Sequence, residues 1–172
     1  MKRLFWILPL LGLAFLVCRY SRRDPLRAEQ ERLGAEVSAE VLAAPELEIY
    51  SLDPAHGGDA AGRPGILPTT VLFGRRKIIG RARITDATER RELAAAILAG
   101  FREAPLLGPE GWQPRHALRY RTPSGDKFLV VSFESTHGFI DHGPTPTWFD
   151  ITRSSEAIWD RILARHGGSG AR

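Results

Sequence analysis

The sequence of 172 residues has 24 basic residues, 20 acidic residues and one cysteine, which gives a formal net charge of +4 and a pI of about 9.7. The positive excess comes from residues 1–27, which hold 6 basic residues and 1 acidic residue, whereas the rest of the chain holds 18 basic and 19 acidic residues. A net charge near −1 outside this segment argues against nucleic acid as a partner. The sole cysteine, Cys18, lies in the same segment, which excludes a thiol nucleophile or a thiolate metal site from the remaining residues.

An apolar run from Leu4 to Cys18 dominates the N-terminal segment, and basic residues flank it on both sides. A membrane-spanning helix needs about 20 apolar residues, with about 17 as the lower limit, and the run approaches that length when Tyr20 is counted at the interface. We therefore expect residues 1–27 to form a membrane anchor or signal-like segment, with residues 4–20 in the membrane.

Cleavage, orientation and lipidation of this segment follow separate rules. No Ala-x-Ala-like site follows Phe15, which favours an uncleaved single-pass anchor over a secretory signal. The N-terminal Lys-Arg pair predicts that the following domain lies outside the cytoplasm, whereas the positive-inside rule applied to the flank from Arg19 to Arg27 predicts the opposite. We favour the extracytoplasmic placement. Lipid attachment at Cys18 is the less favoured alternative, because the bulky Val17 stands where a small residue normally precedes such a cysteine.

The next segments change from helical to extended patterns. Residues 28–45 are rich in Ala and Glu, have apolar residues at four-residue spacing and end at a proline, which predicts a juxtamembrane helix or linker. Residues 46–52 alternate apolar and polar side chains and predict a strand. Two β-rich runs, 70–73 and 77–84, stand on either side of Gly74-Arg75-Arg76 and predict a hairpin.

A capped helix and a second hairpin follow. Asp86 predicts the start of the helix, because its carboxylate can cap the backbone and Glu89 stands where it completes a capping box. The turn residues 123–126 lie between two alternating runs, which predicts a hairpin over residues 116–134.

The C-terminal part completes the pattern. Residues 138–141 and 147–151 predict one more pair of short strands, and Ser154 or Ser155 is expected to cap a final helix. The Gly/Ser-rich tail, residues 167–172, is expected to be disordered.

These elements predict one globular domain over residues 46–166, which is long enough for one hydrophobic core but not for two. The fold class is α+β. Because the connections are hairpins, we expect a mainly antiparallel sheet with two helices packed on one face, preceded by an N-terminal membrane helix.

Two segments, Pro114 to Arg119 and Leu129 to Glu134, resemble a family of uncharacterised bacterial proteins that are exported or membrane-anchored and have no established activity. The resemblance runs from about Glu46 to the last helix. Relatives with this pattern carry one cysteine before the first segment and one after the second, where this chain has Gly111 and Ser135. The resemblance therefore implies a lost disulfide, which favours an oxidising compartment.

Standard catalytic motifs are absent from the sequence, including His-Glu-x-x-His, Gly-x-Ser-x-Gly and a phosphate-binding Gly-rich loop. The remaining candidate is a histidine-centred site, with His116, His137 and His142 as metal ligands or with Asp141 paired to a histidine. His137 and His142 point to opposite faces of a strand, so loop-end side chains are the favoured interpretation. A serine hydrolase using Ser132 or Ser135 is less favoured still.

A second candidate site is cationic. Arg81 and Arg83 share one face of their strand, as do Arg119 and Arg121, and neighbouring strands would bring four guanidinium groups to one surface. Such groups suit carboxylate or phosphate ligands. The favoured alternative is a solvated face on which acids, Glu134 among them, are the cross-strand partners.

Function is predicted from these candidates. Arg115 and His116 fit a ligand-binding role and a structural role equally well. The set predicted to bind a ligand is Arg81, Arg83, Arg115, His116, Arg119 and Arg121. We predict a membrane-anchored, non-catalytic binding or envelope-associated interaction module that needs no cofactor and whose partner is an anionic ligand or an envelope protein. The alternative is a hydrolase or metal-dependent enzyme.

Overall fold

The computed structural model describes residues 7–53, 77–103, 113–141 and 146–166. Within these residues the fold is α+β, as predicted, with a six-stranded antiparallel sheet and three α-helices. The helices are α1 (Ile7–Ala43), α2 (Ala87–Glu103) and α3 (Glu156–Arg165), and the strands are β1 (Leu47–Leu52), β2 (Ile78–Arg83), β3 (His116–Thr122), β4 (Gly125–Ser132), β5 (His137–Asp141) and β6 (Thr147–Asp150). None of the described helices combines the length and the apolar composition needed to cross a membrane.

The sheet has the strand order β2-β1-β3-β4-β5-β6, and every neighbouring pair is antiparallel. Because side chains alternate along each strand, the sheet has two different faces. The helix face carries the main core, which includes Leu47, Ile49, Leu118, Leu129 and Val131. The second face carries a smaller apolar cluster of Tyr50, Leu52, Ala117, Val130 and Phe139. Each side chain of the sheet therefore lies on one of these two faces.

The hairpins of the second half lie where the sequence predicts them. Residues 123–124 form the tight turn between β3 and β4, and Gly125 has a φ of 122°, a value that favours glycine. The strands β5 and β6 pair with each other as predicted. β2 lies beside β1, and its predicted hairpin partner, residues 70–73, lies outside the described residues, as does the tail 167–172.

Three helices pack on the helix face, where the sequence predicted two. The additional helix is the C-terminal part of α1, which corresponds to the helix expected over residues 28–45. Val37, Val41 and Ala44 are almost completely buried in the main core, and Leu33 packs against it. The apolar spacing in this segment is therefore a core stripe of the domain.

The C-terminal part of α1 lies antiparallel to α2 at close range. The Ser38 hydroxyl donates a hydrogen bond of 3.0 Å to the carbonyl of Ala94. A Cβ on Gly34 would lie 2.6 Å from the Cβ of Phe101. Glycine is therefore required where the two helices approach each other.

The predicted cap of α2 at Asp86 is confirmed, but the Glu89 carboxylate, which the sequence predicts to complete a capping box, binds at the end of α3 instead. The Asp86 carboxylate accepts hydrogen bonds of 2.8 Å from the backbone N–H groups of Thr88 and Glu89, and these bonds lower the pKa of Asp86. The carboxylate of Glu89 bonds to Arg165 at 3.4 Å and to His166 at 2.9 Å. Glu89 thus joins α2 to the end of α3.

The start of α3 differs in detail from the prediction. A 3₁₀ turn, Arg153–Ser155, precedes the helix, and the hydroxyl of Thr152 accepts the capping bond from the Ser154 N–H. Ser155 occupies the N-cap position of α3, but its hydroxyl donates to the Thr152 carbonyl at 3.1 Å. The capping side chain is therefore that of Thr152, which precedes both predicted serines.

Candidate functional site

Four arginines lie together on the second face, close to one end of the sheet. Arg81 and Arg83 are on β2, and Arg119 and Arg121 are on β3, with β1 between these two strands. In the strand register, Glu48 of β1 is opposite Arg83 on one side and Arg119 on the other. The four arginines therefore share one surface, as the alternation of side chains along their strands predicts.

Glu48 is the central acid of this surface, and its side chain is only 10% exposed. Its carboxylate accepts hydrogen bonds of 2.5 Å from the Tyr50 hydroxyl, 2.5 Å from Arg81 and 3.2 Å from Arg119. Burial opposes ionisation of Glu48, but the three donors outweigh it and lower the pKa of the carboxyl group. Burial and the bond to Glu48 raise the pKa of Tyr50 to about 12. Glu48 is therefore held as an anion among the arginines.

Asp126, in the β3–β4 hairpin, is the second acid. The Arg119 guanidinium donates from Nε and Nη2 to one oxygen of Asp126, at 2.9 and 2.6 Å, and Arg121 Nε donates to the other at 3.0 Å. These bonds, that from Arg121 first, lower the pKa of Asp126. Arg121 also donates to Glu46 at 3.0 Å. These pairs, together with those of Glu48, form what we call the arginine–carboxylate network.

The network is balanced in charge, because it joins Arg81, Arg119 and Arg121 to Glu46, Glu48 and Asp126. Its members differ in exposure, since the side chain of Arg81 is 60% exposed and that of Arg119 only 24%. Arg83 is exposed beside the network on β2. The acids are the cross-strand partners that the alternative interpretation of the sequence required, and exposed side chains remain at Arg81, Arg83 and Arg121.

Arg115 lies apart from these four arginines. It precedes β3 and forms an ion pair of 2.9 Å with Glu134. Its backbone N–H donates to the Val131 carbonyl, and its carbonyl accepts from the Leu52 N–H. These bonds tie β1, β3 and β4 together, which favours the structural role of Arg115.

His116 lies on the opposite, helix face of the sheet and is completely buried. Its Nε2 is 2.9 Å from a carboxylate oxygen of Asp160 in α3, and its ring contacts Phe133 and Trp159 edge-on. Ser51 is opposite His116 in the register and is also completely buried. The row of Ser51, His116 and Asp160 resembles a catalytic triad in residue type, but substrate has no access to its serine.

The three-histidine metal site is not assembled as the alternative required. His137 lies on the second face, opposite Ser132 in β4, whereas His116 faces the helices, so the two cannot bind one metal ion. His142 lies outside the described residues. Among the described residues, no group of three or more His, Cys, Asp or Glu side chains has a metal-binding arrangement.

His137 has a partner that the sequence reasoning missed. Its Nε2 lies 3.1 Å from Asp150 of β6, and its Nδ1 faces the carbonyl oxygen of Ser135. Both ring nitrogens are occupied, so His137 has no free nitrogen to accept a proton from Ser132. Asp141, the partner expected from spacing, is opposite Phe128 instead. Pairing the inner ends of the two predicted strands, 141 with 147, would have placed residue 151 opposite residue 137, one residue away from the observed partner.

A groove of about 360 Å³ lies at the end of the sheet near the β3–β4 turn, and its lining includes Glu40, Pro45, Arg121 and Pro123. Its charged groups are already engaged, since Glu40 forms an ion pair of 2.5 Å with Lys127 and Arg121 belongs to the network. The groove therefore lacks the converging unpaired polar groups of a small-molecule site.

Comparison of the chain with models of known protein families gave no match, and neither did comparisons with curated proteins and with solved structures.

Proposed function

We propose that this chain is a single-pass membrane protein of the cell envelope whose domain lies outside the cytoplasm and binds a partner without catalysing a reaction. The apolar run from Leu4 to Cys18, with its basic flanks, supports the anchor. Helix α1 is described from Ile7, inside this run, to Ala43, beside the core of the domain. This continuity carries the proposal, because it joins the candidate anchor and the domain in one helix.

The binding surface is the exposed side of the arginine–carboxylate network together with Arg83. Arg119 and Arg81 already bind carboxylates within the network, and guanidinium groups suit carboxylate ligands. Arg81 and Arg83 point the same way, about 6–7 Å apart along β2. This spacing suits two acidic side chains of one extended segment. The proposed partner is therefore an acidic segment of an envelope protein.

The hydrolase alternative has less support from the histidines. His116 is buried and bonded to Asp160, and His137 has both nitrogens occupied. A general base needs a free nitrogen within reach of the proton that it removes. Structural ties between strands and helices account for both histidines.

The anchor and orientation are tested with the full chain carrying a tag after Arg172, by protease accessibility in intact and permeabilised cells. Cleavage of the tag once only the outer envelope is opened would support the proposal. Protection until the inner membrane is broken would contradict the extracytoplasmic placement. Recovery of the chain in the soluble fraction would contradict the anchor itself.

The binding surface is tested with the full chain in detergent and a polyglutamate peptide as the probe. Surface ion pairs contribute about 0.2–1 kcal/mol each, so the double variant R81A/R83A should weaken binding by about 2-fold to 30-fold at low salt. The double variant R91A/R161A removes the same charge from the helix side and is the matched control. Equal weakening by both variants, or by neither, would contradict a site at β2.

A further inference from the structure

The connection between the candidate membrane segment and the domain is short and helical. A helix rises about 1.5 Å per residue, so the path from Tyr20, at the edge of the predicted membrane segment, to Leu33, which packs against the core, is about 20 Å long. Pro25 lies inside this stretch and removes one backbone hydrogen bond. A kink at Pro25 changes the tilt of the domain but adds no length.

Helix α2 lies antiparallel to α1, and their contacts fix the level of each residue along α1. At the far end, the Arg90 guanidinium donates to the carbonyl of Ala44. At the near end, the Arg27 guanidinium donates to the carbonyl of Arg102 at 3.4 Å. The C-terminus of α2 is therefore the end of the domain closest to residues 4–20.

The distance from the lipid to this near end is small. Arg27 lies seven residues beyond Tyr20, which is about 10 Å along the helix. The headgroup layer of a bilayer extends about 5–7 Å beyond the hydrocarbon on each side. The level of Arg27 and Arg102 is therefore immediately above the lipid headgroups.

The segment before α3 belongs to the same end of the domain. The Thr152 N–H donates to the carbonyl of Gly100 in α2 at 3.0 Å, and the adjacent Arg153 side chain is 66% exposed. The β3–β4 turn with Ser124 lies at the opposite end, beside the C-terminus of α1. The two ends are separated by the length of α2, which is about 25 Å.

We infer that α1 holds the domain directly on the membrane, with the C-terminus of α2 and the segment around Arg153 facing the anionic phospholipid headgroups of the bilayer that holds the anchor. The inference depends on the anchor in the proposed function. Arg27, Arg102 and Arg153 make this end of the domain basic, immediately above the headgroup layer. The hairpin that contributes Asp126 to the arginine–carboxylate network then points away from the lipid, where a partner can reach it.

The experiment measures the heights of the two ends above the lipid. Full-length chain with Cys18→Ala and one new cysteine, R153C or S124C, carries a donor dye and is reconstituted in phosphatidylcholine–phosphatidylglycerol vesicles with an acceptor dye on the headgroups. We expect clearly stronger energy transfer from position 153 than from position 124. A flexible Gly-Ser linker inserted between Arg23 and Asp24 should remove the difference.

Vesicle flotation separates the two possible failures. A chain that does not float with the vesicles has no anchor, which overturns the proposed function and this inference with it. A chain that floats but transfers energy equally from both positions, or more strongly from position 124, overturns this inference alone. A difference that survives the linker also overturns the role of α1 in setting the orientation.

Discussion

Neutralising Glu48 should lower stability and tighten binding at the same time. The substitution Glu48→Gln keeps the shape of the side chain and removes the negative charge that faces Arg81 and Arg119. Both guanidinium groups remain on the second face without this anion. The domain then loses charge-assisted hydrogen bonds, while the surface gains one net positive charge.

The cost in stability follows from the exposure of each partner. The bond from Arg81 contributes little, because that side chain is 60% exposed. The bonds from Arg119 and from the buried Tyr50 hydroxyl contribute more, and the glutamine oxygen retains part of each. We expect the free energy of unfolding to fall by about 1–2 kcal/mol. For a chain of this size, this lowers the Tm by about 2–8 °C.

The expected gain in binding free energy is similar in size to the loss in stability. One additional surface charge is worth about 0.5–1 kcal/mol against an acidic probe, so Glu48→Gln should tighten polyglutamate binding by about 2-fold to 5-fold at low salt. Glu92→Gln, which removes an acid paired with the exposed Arg161, is the matched control. It should change stability by less than about 0.5 kcal/mol and leave binding unchanged. Weaker binding by a folded Glu48→Gln variant would refute the proposed role of this surface.

Three further predictions concern the scaffold. Thr136 has a φ of 57°, which is costly for a β-branched residue. Thr136→Gly should therefore raise the free energy of unfolding, measured by urea titration, by about 0.5–1 kcal/mol. A decrease would mean that the turn is not strained. Gly34→Ala should lower the free energy of unfolding by about 1–3 kcal/mol, because the new Cβ would lie 2.6 Å from the Cβ of Phe101. An unchanged free energy of unfolding would show that α1 and α2 can separate freely. The lowered pKa values of Glu48 and Asp126 stabilise the fold above their ordinary values of 4.5 and 3.8. This stabilisation should disappear as the pH falls through the lower folded-state values, and the acid side of the stability–pH curve should flatten in Glu48→Gln and Asp126→Asn.

Local patterns in the sequence predicted the local parts of the fold. The cap at Asp86 and the hairpin turn at 123–126 depend on a few adjacent residues, and both are in place. The shared face of Arg119 and Arg121 follows from the alternation of side chains along one strand. Each of these features depends on residues that are adjacent in the sequence, so contacts with distant parts of the chain change it little.

The partners of the arginines depend on contacts between distant parts of the chain. Glu48 meets Arg81 and Arg119 only because β1 lies between β2 and β3, an order that no single hairpin fixes. Asp126 was predicted as a turn residue, but the turn is shorter, and Asp126 lies opposite Arg121 in β4. The pairing of His137 with Asp150 likewise depends on a register one residue away from the one that the predicted strand ends give.

The C-terminal part of α1 belongs to the core, although the sequence predicts a juxtamembrane helix or linker over residues 28–45. Apolar residues at four-residue spacing predict an amphipathic helix but leave the identity of its apolar partner open. Here the partner is the core, in which Val37 and Val41 are buried, while Leu26, earlier in the same helix, is 58% exposed. The change from exposed to buried residues along α1 therefore marks where the helix joins the core of the domain. In the proposed arrangement, substitutions before Leu33 should alter the position of the domain relative to the membrane. Substitutions at Val37 or Val41 should alter whether the domain folds.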